Sequence, residues 1–148
     1  APKKIVMTLV ERDGYSRSFH IANVNANNLR GVLVANVDRQ SNLMTDNFKG
    51  YSLLGREFAS HGVTSHSTNE YAKGETHSNT AENFFSIFKR GVVGTYHHMS
   101  EAHLHRYLAE FDLRANTRDM NDAERAGAIL KGGEGRRLTY RRTASLAA

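Results

Sequence analysis

The sequence predicts an α/β fold in which a mixed sheet, part antiparallel and part parallel, is flanked by helices. Three observations carry that prediction. β-Branched runs come first and stop at turn residues, later segments repeat apolar residues at spacings of three and four, and the two kinds of segment do not alternate strictly. A doubly wound parallel sheet would alternate strands and helices from the start, whereas an antiparallel hairpin joined to a parallel strand fits this order.

Ile5-Val-Met-Thr-Leu-Val10 is apolar and β-branched, and Asp13-Gly14 behind it is a hairpin signal. In the next run Phe19 and Ile21 alternate with Ser18 and His20, as in a strand with one buried face. Asn25 is a plausible N-cap, and Leu29, Val32, Leu33 and Val37 then give a helix with one apolar stripe. Ser41 to Thr45 forms a short third strand with Asp46 directly at its C-terminal end. Tyr51 to Phe58 suggests a short helix, and Gly62 to Ser67 a fourth strand before a polar loop through Gly74. The strongest helix runs from about Asn79 to Arg90. Ser100 caps another, with Leu104, Leu108 and Phe111 facing inward. Asn121 and Glu124 have capping-box spacing before Ala126, Ile129 and Leu130, and Gly132-Gly133 is a stop. No repeat, low-complexity block or linker interrupts this order.

The length of 148 residues is that of one domain with a real core. With 39% hydrophobic and 24% charged residues the composition is globular, and no apolar run approaches the roughly 20 residues that cross a bilayer. A membrane partner is not expected. The absence of cysteine removes disulfide frameworks and thiolate metal sites and favours a reducing, cytoplasmic compartment. Ile5–Val10 is too short for a signal peptide's apolar segment and has no small-residue cleavage site after it, so the chain is expected to start in mid-fold. Net charge is +5, concentrated in a tail, residues 131–148, that holds Lys131, Arg136, Arg137, Arg141 and Arg142 against Glu134. Such a tail is either a solvated basic end or a phosphate-contacting one.

On a helix, Asn79, Glu82, Ser86 and Lys89 share one side, while Phe84, Ile87 and Phe88 line another with Phe85 at the border. The polar column is either a capping box and a solvated face, or one wall of a site. Asp46 bears on the choice, because a carboxylate just past a buried strand lies where open α/β sheets place their sites. Carboxylates converging without cysteine suit a hard ion such as Mg²⁺, which takes oxygen ligands and keeps waters for a phosphate substrate. A pair of such ions acts on both the attacking and leaving oxygens of a phosphodiester, and Lys89 would then meet a DNA phosphate. The histidines His97, His98, His103 and His105 match no zinc-protease or finger spacing, and no Gly-x-Ser-x-Gly elbow or phosphate-binding glycine loop occurs.

The segments KKIVMTLVERDG, SRSFHI, LMTDNFKGY, HSNTAENFFSIFKRG and YHHMSEAHLHRYLAEFDLRANTR resemble, in order, the catalytic domain of DDE-type insertion-sequence transposases of the bacterial ISXO-like group. The resemblance implies a ribonuclease-H-like mixed sheet flanked by helices, here lacking its first strand. It divides the chain into a partial catalytic domain over residues 1–130 and a basic tail over 131–148. It further implies cleavage and joining of DNA at transposon ends, with a two-ion Mg²⁺ or Mn²⁺ site in the complete enzyme and homo-oligomers assembled on DNA. Asp46 matches the second catalytic Asp, and Glu82 or Asn79 the third position, with Glu82 favoured for its acid and its spacing to Lys89. Lys89 matches a lysine expected to contact DNA. Arg90 and the tail residues Arg136, Arg137, Arg141 and Arg142 are further DNA-binding candidates. The family's first catalytic Asp belongs to a strand before Ile5 that this chain does not include, and Asp13 beside Gly14 is a turn residue rather than its substitute. A non-catalytic, DNA-binding remnant is the alternative.

Overall fold

The structure, a computed structural model, describes residues 3–64 and 79–136. The chain divides into two compact units, Ala1–Asn116 and Thr117–Ala148. The first is α/β and holds two small sheets.

Strands β1 (Ile5–Val10) and β2 (Ser16–Ile21) pair antiparallel, with Ile5 opposite Ile21 and Val10 opposite Ser16. Their turn closes through a bond from Gly14 N–H to the Glu11 carbonyl at 3.2 Å, and Asp13 sits in it at φ 56°. Aspartate is among the few side chains that tolerate this left-handed region, which is why Asp-Gly signals the hairpin. Helix α1 (Ala26–Asn36) is capped by Asn25, whose side chain accepts from Asn28 N–H at 2.8 Å. Strands β3 (Asn42–Asp46) and β4 (Ser60–Thr64) pair parallel, Leu43 beside His61 and Asp46 beside Thr64.

Alternation makes the hairpin a middle layer. Its odd face, Ile5, Met7, Leu9, Phe19 and Ile21, joins Leu29 and Leu33 of α1, Leu43 of β3, Leu54 and Phe58 in one core. On its even face Val6 meets a second core, mainly aromatic, built from Phe84 and Phe88 of α2 (Asn79–Gly91), Met99, and Leu104, Leu108 and Phe111 of α3 (Leu104–Asn116). Phe88 and Phe111 meet edge to face at 5.0 Å, an arrangement that aromatic quadrupoles favour.

Helix α3 also closes the outer edge of β2. Asp112 accepts from Ser18 N–H at 2.7 Å and from the Ser18 hydroxyl at 2.7 Å. One turn on, Asn116 accepts from Ser16 N–H at 2.6 Å and donates to the Ser16 carbonyl at 2.9 Å. Side chains at i and i+4 thus reproduce a strand's pairing pattern, satisfying edge groups that would otherwise invite another chain.

Three local expectations are corrected. The short helix expected over Tyr51–Phe58 is instead a pair of 3₁₀ turns, Lys49–Tyr51 and Leu54–Glu57. Glycines at 50 and 55 disfavour a continuous helix there. Ser100 makes no side-chain cap; the chain enters α3 through a 3₁₀ turn, Glu101–His103, whose first bond, from His103 N–H, goes to the Ser100 carbonyl. On α2 the apolar stripe is Ala81, Phe84, Phe85 and Phe88, continued by Val92 just past its end, while Ile87 is 43% exposed. At 100° per residue Ile87 falls outside the arc that contains both Phe84 and Phe85. Strand β4 begins at Ser60, and the residues expected to extend it, 65–67, lie outside those described.

In the second unit, α4 (Asp122–Gly132) carries the capping box that its sequence announces. The Asn121 side chain accepts from Glu124 N–H at 3.0 Å, and Glu124 accepts from Asn121 N–H at 2.9 Å. No α4 residue is buried, and Ile129 and Leu130 are exposed.

Candidate functional site

Asp46 ends β3, on the strand face opposite Leu43, and is exposed. Neighbouring groups fix its position. Its Oδ1 accepts from Phe48 N–H at 3.2 Å, and its backbone carbonyl accepts from the Thr45 hydroxyl at 3.0 Å. Thr45 Oγ1 also lies 2.8 Å from His61 Nε2, and the buried Thr64 hydroxyl donates to the Thr45 carbonyl at 3.2 Å. Tyr51 stands close enough to feel the carboxylate. Burial and then the Asp46 charge raise its pKa, while its ring meets Phe48 edge-on at 5.9 Å. Burial lowers the pKa of His61, which favours its neutral form.

Asn79 is the first residue of α2, and its side chain lies outside those described. Glu82, Ser86 and Lys89 lie on the exposed side of the helix, beyond the edge of the buried stripe. Arg90 is exposed beside Lys89, and together with Val93 and Gly94 they line an open depression of about 460 Å³. Of the basic tail, Lys131 and Arg136 are described and exposed; Arg137, Arg141 and Arg142 lie outside the described residues. His97, His98, His103 and His105 are exposed.

Among the described residues no three His, Asp or Glu side chains converge as a closed metal site. The donors present are nevertheless of the right kind for Mg²⁺, which is held through one or two carboxylates plus substrate phosphates rather than by an all-protein cage. Asp46 offers an exposed carboxylate oriented by a backbone N–H, and Glu82 offers a second exposed oxygen donor.

Sequence reasoning missed the groups around Asp46. Nothing in the sequence singles out His61, and Tyr51 is expected there only as the start of a helix. It also missed the ion cluster in which Arg30 Nε lies 2.8 Å and Arg39 NH1 2.6 Å from Glu57, holding that carboxyl down to about 2 through hydrogen bonds from Arg30 and then Arg39. Hydrogen bonds across 16 to 27 residues leave no periodic signature.

No helix among the described residues is long and apolar enough to cross a membrane. No curated protein and no solved structure matches the chain. The model of one family, described as the ISXO2-like transposase domain, matches residues 1–116, which span both halves of the α/β unit, Asp46 and the polar column of α2. By that match the chain belongs to the ISXO2-like transposase domain family.

Proposed function

We propose that this transposase domain supports metal-dependent cleavage and joining of DNA at transposon ends, with Asp46 and Glu82, or Asn79 in place of Glu82, as its acidic and polar oxygen donors. One observation carries the reading. By strand alternation Asp46 lies on the face of β3 opposite Leu43, and α2, which bears Asn79, Glu82 and Lys89, packs against the hairpin on its Val6 face. The two sheets share one core through Met7, Ile21 and Leu43, which supports their being parts of one ribonuclease-H-like mixed sheet.

Asp46 and Glu82 would hold Mg²⁺ or Mn²⁺ through carboxylate oxygens, with a pair of ions in the complete site. When bound, the metal would stabilise charge on the phosphodiester oxygens and lower the pKa of a water. The chain's own residues orient and attract. Phe48 N–H and the Thr45 hydroxyl hold Asp46, while Lys89 and Arg90 present positive charge to DNA phosphates, assisted by Arg136, Arg137, Arg141 and Arg142 of the tail. Residues 1–130 would act as the catalytic portion and 131–148 as the basic tail, in bacterial cytoplasm and in homo-oligomers on DNA.

The test is nicking of end-bearing duplex by the transposase that carries this domain together with the strand expected before Ile5. Asp46→Asn and Glu82→Gln should each reduce Mg²⁺-dependent nicking by more than the roughly 10–100-fold that losing an outer partner of a metal ligand costs. Retained nicking in Asp46→Asn would remove the proposal. The exposed Lys89–Arg90 depression also supports a second reading as a non-catalytic DNA binder. That reading predicts duplex binding without nicking, with a log–log salt slope of about −0.9 per phosphate contact.

A further inference from the structure

We propose that His61 is a positioning residue for Asp46, acting through the Thr45 hydroxyl and seated by the missing side chain at residue 55. The inference rests on Asp46 being a functional carboxylate.

Thr45 Oγ1 lies 3.0 Å from the Asp46 carbonyl oxygen and 2.8 Å from His61 Nε2. A hydroxyl has one proton, so with that proton donated to the Asp46 carbonyl the imidazole must donate from Nε2–H to Thr45 Oγ1. The order of donation is then His61 to Thr45 to Asp46, and it runs across the parallel pair β3–β4. Thr64 adds a bond to the Thr45 carbonyl at 3.2 Å, and Phe48 N–H holds the Asp46 side chain from beyond the strand. The peptide before Asp46 is thereby held at the Thr45 carbonyl and the one after it at the Asp46 carbonyl, while the following turn holds the carboxylate.

Gly55 makes room for the ring. A Cβ at that position would stand 2.0 Å from His61 Nδ1 and 2.3 Å from its Cγ, far inside contact distance. Gly55 is buried and is not among the positive-φ glycines, so space and not backbone freedom is what the glycine supplies. Any side chain there would push the imidazole away from Thr45. His61 and Gly55 therefore act on Asp46 by one route, although neither touches it.

The experiment is NMR on the isotope-labelled chain and its variants, without metal and then with Mn²⁺. His61→Leu, Thr45→Val and Gly55→Ala should each shift the Phe48 amide proton and average the Asp46 χ1 couplings. His61→Gln, whose amide N–H can replace Nε2–H, and Thr45→Ser, which keeps the hydroxyl, should stay close to the parent. The double variant His61→Leu/Gly55→Ala should be no worse than either single one. In the Mn²⁺ arm the midpoint for broadening of the Asp46 signal should rise about 10-fold in His61→Leu and be restored in His61→Gln. Unchanged Asp46 couplings in His61→Leu, or His61→Gln behaving like His61→Leu, would overturn the proposal by reducing His61 to packing. Should His61→Leu fail to fold, Thr45→Val against Thr45→Ser decides the same point. Absence of Mn²⁺ broadening at Asp46 in the parent chain would overturn the metal reading alone, because the metal-free arm still decides whether His61 orients the carboxylate.

Discussion

The two faces of the β1–β2 hairpin are organised by different physics. On the odd face a mainly aliphatic core holds α1 and β3, and Asp46, on the opposite face of β3, is held by the Phe48 N–H on its carboxylate and the Thr45 hydroxyl on its carbonyl. On the even face a mainly aromatic core holds α2 and α3, and Glu82 and Lys89 owe their placement to which side of an amphipathic helix is buried. A carboxylate at a strand end needs specific partners because the strand constrains only its own residues. A helix that buries Phe84, Phe85 and Phe88 fixes all its polar positions at once.

The largest effects should come from the cores. Leu33→Ala and Leu108→Ala, each about 1% exposed, should each cost about 2–5 kcal/mol in urea unfolding. They lie in separate clusters, so their effects should add to within about 0.5 kcal/mol. A larger coupling would break the picture of a hairpin separating two cores. Next comes the β2 edge. Asp112→Ala leaves Ser18 N–H without its acceptor and should cost about 1–3 kcal/mol, with faster amide exchange at Ser18. Unchanged exchange at Ser18 would show that α3 is held by its apolar face alone.

In the second unit α4 has no buried residue, so its start depends on the capping box. Asn121→Ala should lower local stability by about 1 kcal/mol, read as increased exchange at Glu124. The smallest effect concerns acid. Glu57 titrates at about 2 when folded against an ordinary 4.5. Its contribution is therefore present above pH 4.5 and is lost as pH falls toward about 2. Glu57→Gln should flatten that part of the pH–stability curve, and salt should shrink the difference between the two proteins because the pairs are exposed.

Much of this architecture is written in local pattern. The alternation of Phe19 and Ile21 with Ser18 and His20 gives β2 its two faces, the Asp13-Gly14 turn gives the hairpin, and Asn121 with Glu124 gives the α4 cap. The placement of Asp46 at the end of β3 was legible for the same reason, since it follows directly from a short apolar run. Other features were not, because their causes lie far along the chain. Ser100 looks like a cap until the 3₁₀ turn uses its carbonyl instead. Ile87 looks buried until Phe85 is seen to complete the stripe. Gly55 looks like a helix breaker, whereas its lack of a side chain is what lets His61 reach Thr45.

The central claim is that Asp46 and the polar column of α2 serve one metal-dependent DNA site. Mn²⁺ relaxation mapped over the amide signals of the chain tests it most directly. The account predicts that broadening appears together at Asp46 and Glu82 and that both effects vanish in Asp46→Asn. Broadening confined to one of the two, or centred instead on His97 to His105, would contradict it.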